Sequence, residues 1–178
     1  MKKQIEVFDY ASTILKQIPA GVLLTTKFEN RINTMTIGWG TLGMEWNRNI
    51  FIAFIRENRF SRSLLEQNPE FTINVALGGY DHNIISRCGI ESGRNIDKIK
   101  ELNLTLEEPQ QISVPGIREF PLTLECKVLY KQMQEPAAIP ETIRKVSYPQ
   151  NVDSSFHGPN KDYHMAYYGE IVSAYIIT

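Results

Sequence analysis

The chain has 178 residues, 42% hydrophobic and 22% charged, with a formal net charge of −1. That size and balance suit a folded core and exclude wholesale disorder. A near-neutral chain without a long apolar run is not expected to bind nucleic acid through overall basicity or to span a membrane, although a local basic pocket stays open. The N-terminal MKKQIEVFDY has two lysines and no apolar run behind them, so it does not read as a signal peptide, and a cytoplasmic location is expected.

In chain order, Phe8, Ala11, Leu15 and Ile18 recur at helical spacing up to Pro19. Residues 21–26 (GVLLTT) read as a buried strand turned at Phe28-Glu29-Asn30, and residues 32–39 as a second, rich in threonine and β-branched side chains. The runs 50–55 (IFIAFI) and 71–76 (FTINVA) have strand length; residues 61–67 between them read as a short helix with Ser61 as N-cap. Residues 81–87 and 96–102 have helical patterning on either side of a turn-rich loop, 88–93. Residues 120–130 alternate. Leu122, Leu124, Cys126 and Val128 share one face and Thr123, Glu125 and Lys127 the other, as in a half-buried strand.

Residues 132–163, with their prolines and the polar run 151–162, predict a long excursion or flap with too few apolar residues for a core of its own. Residues 164–177 are extended, and Gly169 marks a bulge or a close backbone approach. Many short strands and few long helices predict one mainly β domain over residues 1–178, a closed or nearly closed antiparallel barrel.

Chemistry concentrates in three stretches. In residues 55–63 (IRENRFSRS), Arg56, Arg59 and Arg62 arrive with Ser61 and Ser63 where an apolar strand gives way to a helix start. Free backbone N–H groups, guanidinium groups and hydroxyls suit a monoester phosphate; the alternative is a solvated basic turn with Ser61 as an ordinary cap. In residues 33–40 (NTMTIGWG), Gly38 and Gly40 permit close backbone approach, and Thr34 or Thr36 offers polar contacts. Trp39 either packs beside a planar ring such as a flavin or fills the core. In residues 88–98 (CGIESGRNIDK), a flexible hydroxyl-bearing Ser92-Gly93 turn precedes the cations Arg94 and Lys98. These either face a ligand or are solvated charges of a capped helix, and Asp97 with Lys98 can form a salt link.

His164 stands between the polar run and the last strand, placed either to orient a ligand or as a satisfied structural histidine. His82 and His157 have no local partner that suggests a role. Cys88 and Cys126 read as buried small apolar side chains. No GxGxxG, GxxxxGK[ST] or GxSxG occurs, and the Cys and His residues are too scattered for zinc, so no metal site is expected.

Together these stretches resemble the flavin reductase-like family, the FMN-binding split barrels that include the flavoredoxins. Gly21 to Thr26 resembles the opening strand, and Asn33-Thr34-Met35-Thr36-Ile37-Gly38-Trp39 the N-x-M-T-x-x-W stretch. Arg56 to Phe71 resembles the segment in which an Arg-aromatic-Ser/Thr turn precedes a helix, followed by the strand Phe71-Thr72-Ile73-Asn74. Cys88-Gly89, Ser92-Gly93-Arg94 and Asp97-Lys98 match the C-G-x-x-S-G-R-x-x-D-K pattern; Leu124-Glu125-Cys126 and Gly169-Glu170-Ile171-Val172 resemble the closing strands. Ser61 stands where threonine is common, and Trp46-Asn47-Arg48-Asn49 where many relatives carry prolines.

The resemblance implies an antiparallel split β-barrel of Greek-key type with a few short peripheral helices, a homodimer, and FMN near the subunit interface. By position it puts the ring beside Asn33, Met35, Thr36, Ile37, Gly38 and Trp39. It puts the phosphate near Arg56, Arg59, Ser61 and the loop carrying Cys88, Ser92, Gly93, Arg94 and Lys98, and it makes His164 a candidate for orienting flavin or nicotinamide. The implied function is an FMN-dependent oxidoreductase that takes hydride from NAD(P)H and passes electrons to a small-molecule or protein acceptor. The alternatives are an electron-transfer flavoprotein reduced by a protein partner, and a split barrel that binds another anion or acts only as a scaffold.

Overall fold

Strands rich in β-branched and apolar side chains pair because each buries a face against its neighbours. The computed structural model describes residues 1–178. Its elements run β1 (Lys2–Gln4), α1 (Ala11–Gln17), β2 (Val22–Phe28), β3 (Arg31–Ile37), β4 (Gly40–Glu45), β5 (Arg48–Arg56), α2 (Phe60–Leu65) and β6 (Glu70–Val75). They continue with α3 (His82–Ile90), α4 (Lys98–Glu101), β7 (Leu106–Glu107), β8 (Gly116–Ile117), β9 (Leu122–Met133), α5 (Glu141–Ser147) and β10 (His164–Ile177).

Eight strands form one antiparallel sheet in the order β3-β2-β6-β9-β10-β5-β4, with β1 on the far end of β10. The fourteen residues of β10 let it pair with β9 along one side, and with β5 and then β1 along the other. One cluster of 20 buried side chains, drawn from residues 7–18, β2, β3, β5, α2, β6, β9 and β10, fills the inside of the curled sheet, and a second of 7, including Leu23, Ile84 and Phe120, packs apart from it. Strands β3 and β4 end the strand order and do not pair with each other, so the barrel stays open along that seam. The fold is the expected mainly β antiparallel one.

Two details follow from packing. The register slips at Tyr168/Gly169, and a Cβ on Gly169 would stand 2.5 Å from the Phe71 ring, so the expected bulge is also a close approach. The outer face of β9 is covered as well. Thr123 and Glu125 are fully buried rather than solvated, and the Glu125 carboxylate accepts the Gln110 and Gln111 N–H groups at 2.7 Å each.

Several boundaries differ from expectation. Val7, Ile14 and Ile18 enter the core, whereas Phe8 and Leu15 are exposed. The strand expected to reach Trp39 ends at Ile37, and a further strand, β4, follows it. Trp46 and Asn47 take positive φ (53° and 56°) in the tight turn from β4 to β5. Cys88-Gly89-Ile90 form the last turn of α3 rather than a loop. The excursion includes α5 and then runs as coil across the open seam.

Candidate functional site

The ends of β3 and β5, the start of α2, the α3–α4 loop and the excursion converge on two adjoining cavities. The first, about 470 Å³, is lined by Asn33, Arg56, Arg59, Ser61, Arg94 and Lys98 among others. The second, about 360 Å³, has Met35 to Trp39, Phe54 and His164 along one side, with Val146, Ser147 and His157 to Pro159 opposite. Met35, Arg56, Arg59 and His157 belong to both.

The first cavity is cationic and hydroxyl-bearing. Ser61 does not cap α2, since Arg59 holds the cap position without a side-chain bond. Instead the buried Ser61 Oγ accepts from Asn33 Nδ2 at 2.7 Å, which leaves its own hydrogen free to donate. Lys98 Nζ donates to the carbonyl oxygens of Thr34 (3.1 Å) and Cys88 (2.9 Å), with one N–H left over. The proposed Asp97–Lys98 salt link is absent, because Asp97 accepts the Lys100 N–H of α4 instead. Burial holds Lys98 down to about 8, with Arg59 adding to the effect.

Arg59 bridges the carbonyls of Gly89 (2.9 Å) and His157 (3.0 Å); Arg56 donates to Ser147 O (3.1 Å) and Asp162 O (2.6 Å). Burial lowers both guanidinium pKa values. These two arginines therefore fasten the excursion over the site. The third arginine of the stretch, Arg62, points away to Tyr167 and Glu66. Arg94 lies over the Phe60 ring and donates to Asn58 O at 2.8 Å. In the Ser92-Gly93 turn, Ser92 Oγ accepts the Arg94 N–H, and Gly93 is packed so closely that a Cβ would collide with Asn33 and Phe60.

The second cavity is flatter and more apolar. Trp39 is 46% exposed, so it does not fill the core; its indole lies 4.8 Å from the His164 ring. A Cβ on Gly38 would meet only the Ile18 carbonyl oxygen, at an ordinary 3.9 Å, but a Cβ on Gly40 would meet the Phe51 ring at 2.8 Å, so Gly40 serves packing. The Thr34 and Thr36 hydroxyls are both engaged, by Leu24 O and by Ile85 O. Burial, then Arg56 and Arg59, push His164 down to about 3.

Of the residues singled out from sequence, Asn33, Met35, Arg56, Arg59, Ser61, Ser92, Gly93, Arg94 and Lys98 line the first cavity. Thr36, Ile37, Gly38, Trp39 and His164 line the second. Cys88 lines neither: it is fully buried beside Leu23 and Ile84, its thiol raised to about 11 by burial, and it contributes only a carbonyl to Lys98. Sequence reasoning missed His157, Asn160, Asp162 and Tyr148. All four lie on the excursion, where nothing local shows which way a polar coil folds back.

The family profile described as "Flavin reductase like domain" matches residues 15–176. The chain belongs to that family. A flavoredoxin of Desulfovibrio vulgaris (Miyazaki F) superposes with a TM-score of 0.64 at 20% identity, over 88% of this chain and 69% of that one. An FMN-binding domain of a flavin reductases-like enzyme from Shewanella baltica OS155 gives 0.63 at 16% identity, over 99% and 77%. At that distance the likeness to this flavin reductase-like chain is one of fold, a split barrel. A protein of Archaeoglobus fulgidus is 29% identical over 97 residues, which are 54% of each chain, so the match spans about half the length of that relative. No helix of this family member is long and apolar enough to cross a membrane.

Proposed function

We propose that this chain binds FMN in the paired cavities and acts as an oxidoreductase, accepting hydride from NAD(P)H and passing electrons to a further acceptor. The observation that carries this reading is the contrast between two cavities that share the Arg56–Arg59 wall: one cationic with free hydroxyl and ammonium donors, the other bordered by Trp39 and the Gly38 backbone. The donor set fits a phosphate monoester. The first cavity offers a second fit. Buried carboxylate oxygens of Glu91 and Asp162 lack partners, and both residues line the first cavity, as acceptors for the hydroxyls of a ribityl chain would. The likeness to the FMN-binding Shewanella domain and to an NADH:FAD oxidoreductase from Streptomyces globisporus C-1027, the latter at a TM-score of 0.61 and 13% identity over 88% of this chain and 75% of that one, supports the same chemistry.

Bound flavin would supply the redox chemistry; the protein's part is binding, orientation and electrostatics. Ser61, Lys98, Arg59 and Arg94 would hold the phosphate, and Met35 to Trp39 would flank the ring. His164, neutral at physiological pH, would orient flavin or nicotinamide without acting as an acid. The reading includes a homodimer, which analytical ultracentrifugation tests directly.

Retained flavin absorbance after gel filtration is expected for the purified protein. Arg59→Ala is expected to weaken FMN by about ten- to hundredfold, the worth of a hydrogen bond to a charged group. Unchanged affinity in Arg59→Ala and Ser61→Ala would remove the phosphate site. Stopped-flow bleaching by NADH or NADPH is expected; bleaching only by a low-potential protein carrier would instead indicate an electron-transfer role.

A further inference from the structure

The excursion meets His164 in a small buried network whose hydrogens can be counted. Gln134 Oε1 receives the backbone N–H of His164 at 3.3 Å. A backbone N–H can only donate, so it is the oxygen of the Gln134 amide that faces this point. The same oxygen accepts the Tyr148 hydroxyl at 2.7 Å. That uses the single phenolic hydrogen. Tyr148 Oη also lies 2.8 Å from His164 Nδ1, and with its hydrogen engaged it can only accept there. His164 must then carry its hydrogen on Nδ1. Nε2 has no protein partner, and the ring lines the second cavity beside Trp39.

We infer that Tyr148, with Gln134 behind it, is a positioning residue that locks His164 in the Nδ1–H tautomer, so that Nε2 offers its lone pair to an amide-type N–H on a planar ligand in the second cavity. Tyr148 is 3% exposed and stacks on Tyr163 at 4.6 Å, so the phenol has no freedom to swing away. Burial with Arg56 and Arg59 alongside keeps the imidazole neutral, which preserves the lone pair at any physiological pH. This gives the excursion a task beyond covering the site: it fixes which face of a hydrogen-bond code the pocket presents. On the flavin reading, on which the choice of ligand rests, two donors qualify. They are the imide N–H of oxidised FMN and the carboxamide of NAD(P)H.

The tautomer is read without any ligand by nitrogen NMR on protein labelled at its histidines, with His164→Gln identifying the signals. The expected result is a protonated Nδ1 and a bare Nε2. Gln134→Leu frees the phenolic hydrogen for Nδ1 and is expected to invert the pattern, and Tyr148→Phe to abolish the lock. A hydrogen found on Nε2 in the wild type, or a pattern indifferent to both variants, overturns the inference. In binding, Tyr148→Phe is expected to weaken FMN about five- to tenfold, the scale of one neutral hydrogen bond, while leaving 3-methyl-FMN unaffected. The same loss confined to NADH would make the carboxamide the partner, and no loss for either ligand overturns the recognition role. A wild-type protein that takes up no FMN would defeat the flavin reading alone, since the NMR result stands apart from it.

Discussion

Lys98 carries a charge into a nearly closed place. The residue is 3% exposed, and its ammonium is held by two backbone carbonyls rather than by a direct ion pair, with the Glu91 charge only a minor influence. The folded value near 8 lies below the ordinary 10.5, so between those limits the unfolded chain holds a proton that the folded chain has released. Stability contributed by this group therefore rises as pH climbs through that window. Denaturant midpoints measured at pH 7.5, 9 and 10.5 are expected to show a rising trend that Lys98→Met removes. His164 follows the same sign at the acid end. Its folded value near 3 against 6.5 means that protonation favours the unfolded chain as pH falls from 6.5 towards 3. His164→Gln is expected to flatten the acid limb of the unfolding curve between those limits.

At the scale of elements, the excursion is fastened chiefly through Arg56, which reaches Ser147, Asn160 and Asp162 and lies over the Tyr148 ring. Hydrogen exchange in Arg56→Ala is expected to quicken across residues 147–163 while β2, β6 and the first half of β9 stay protected. The bulge in β10 makes an opposite case. Gly169→Val forces carbon against Phe71 and Cys126, a core overpacking of about 1–3 kcal/mol that thermal melting would register. The strands were legible because IFIAFI and FTINVA declare their burial locally. Strand β4 was not, since Gly40-Thr41-Leu42-Gly43 has weak strand propensity and forms by pairing with β5. The site divides in the same way. Arg59, Ser61 and Lys98 stood out because charge and hydroxyl cluster in sequence, whereas His157 and Asp162 reach the cavity only through the long-range grip of Arg59 and Arg56. Ser61 was misread as a cap because a serine before a helical run has that local signature, and only Asn33, 28 residues upstream, reveals its other bond.

Seen whole, the molecule is a curled sheet with an unpaired seam, and chemistry collects where the seam would otherwise admit water. One wall of the paired cavities is rigid strand, the other is coil held by guanidinium groups on backbone oxygens. That asymmetry has a kinetic signature. Arg59 spends two of its five N–H groups on the carbonyls of Gly89 and His157, so it can take a phosphate while still holding the coil, and a ligand that enters beneath that coil waits on its opening rather than on diffusion. Observed association rates for FMN are expected to level off at high ligand concentration, and the plateau to rise in Arg56→Ala, where the strap is already loosened.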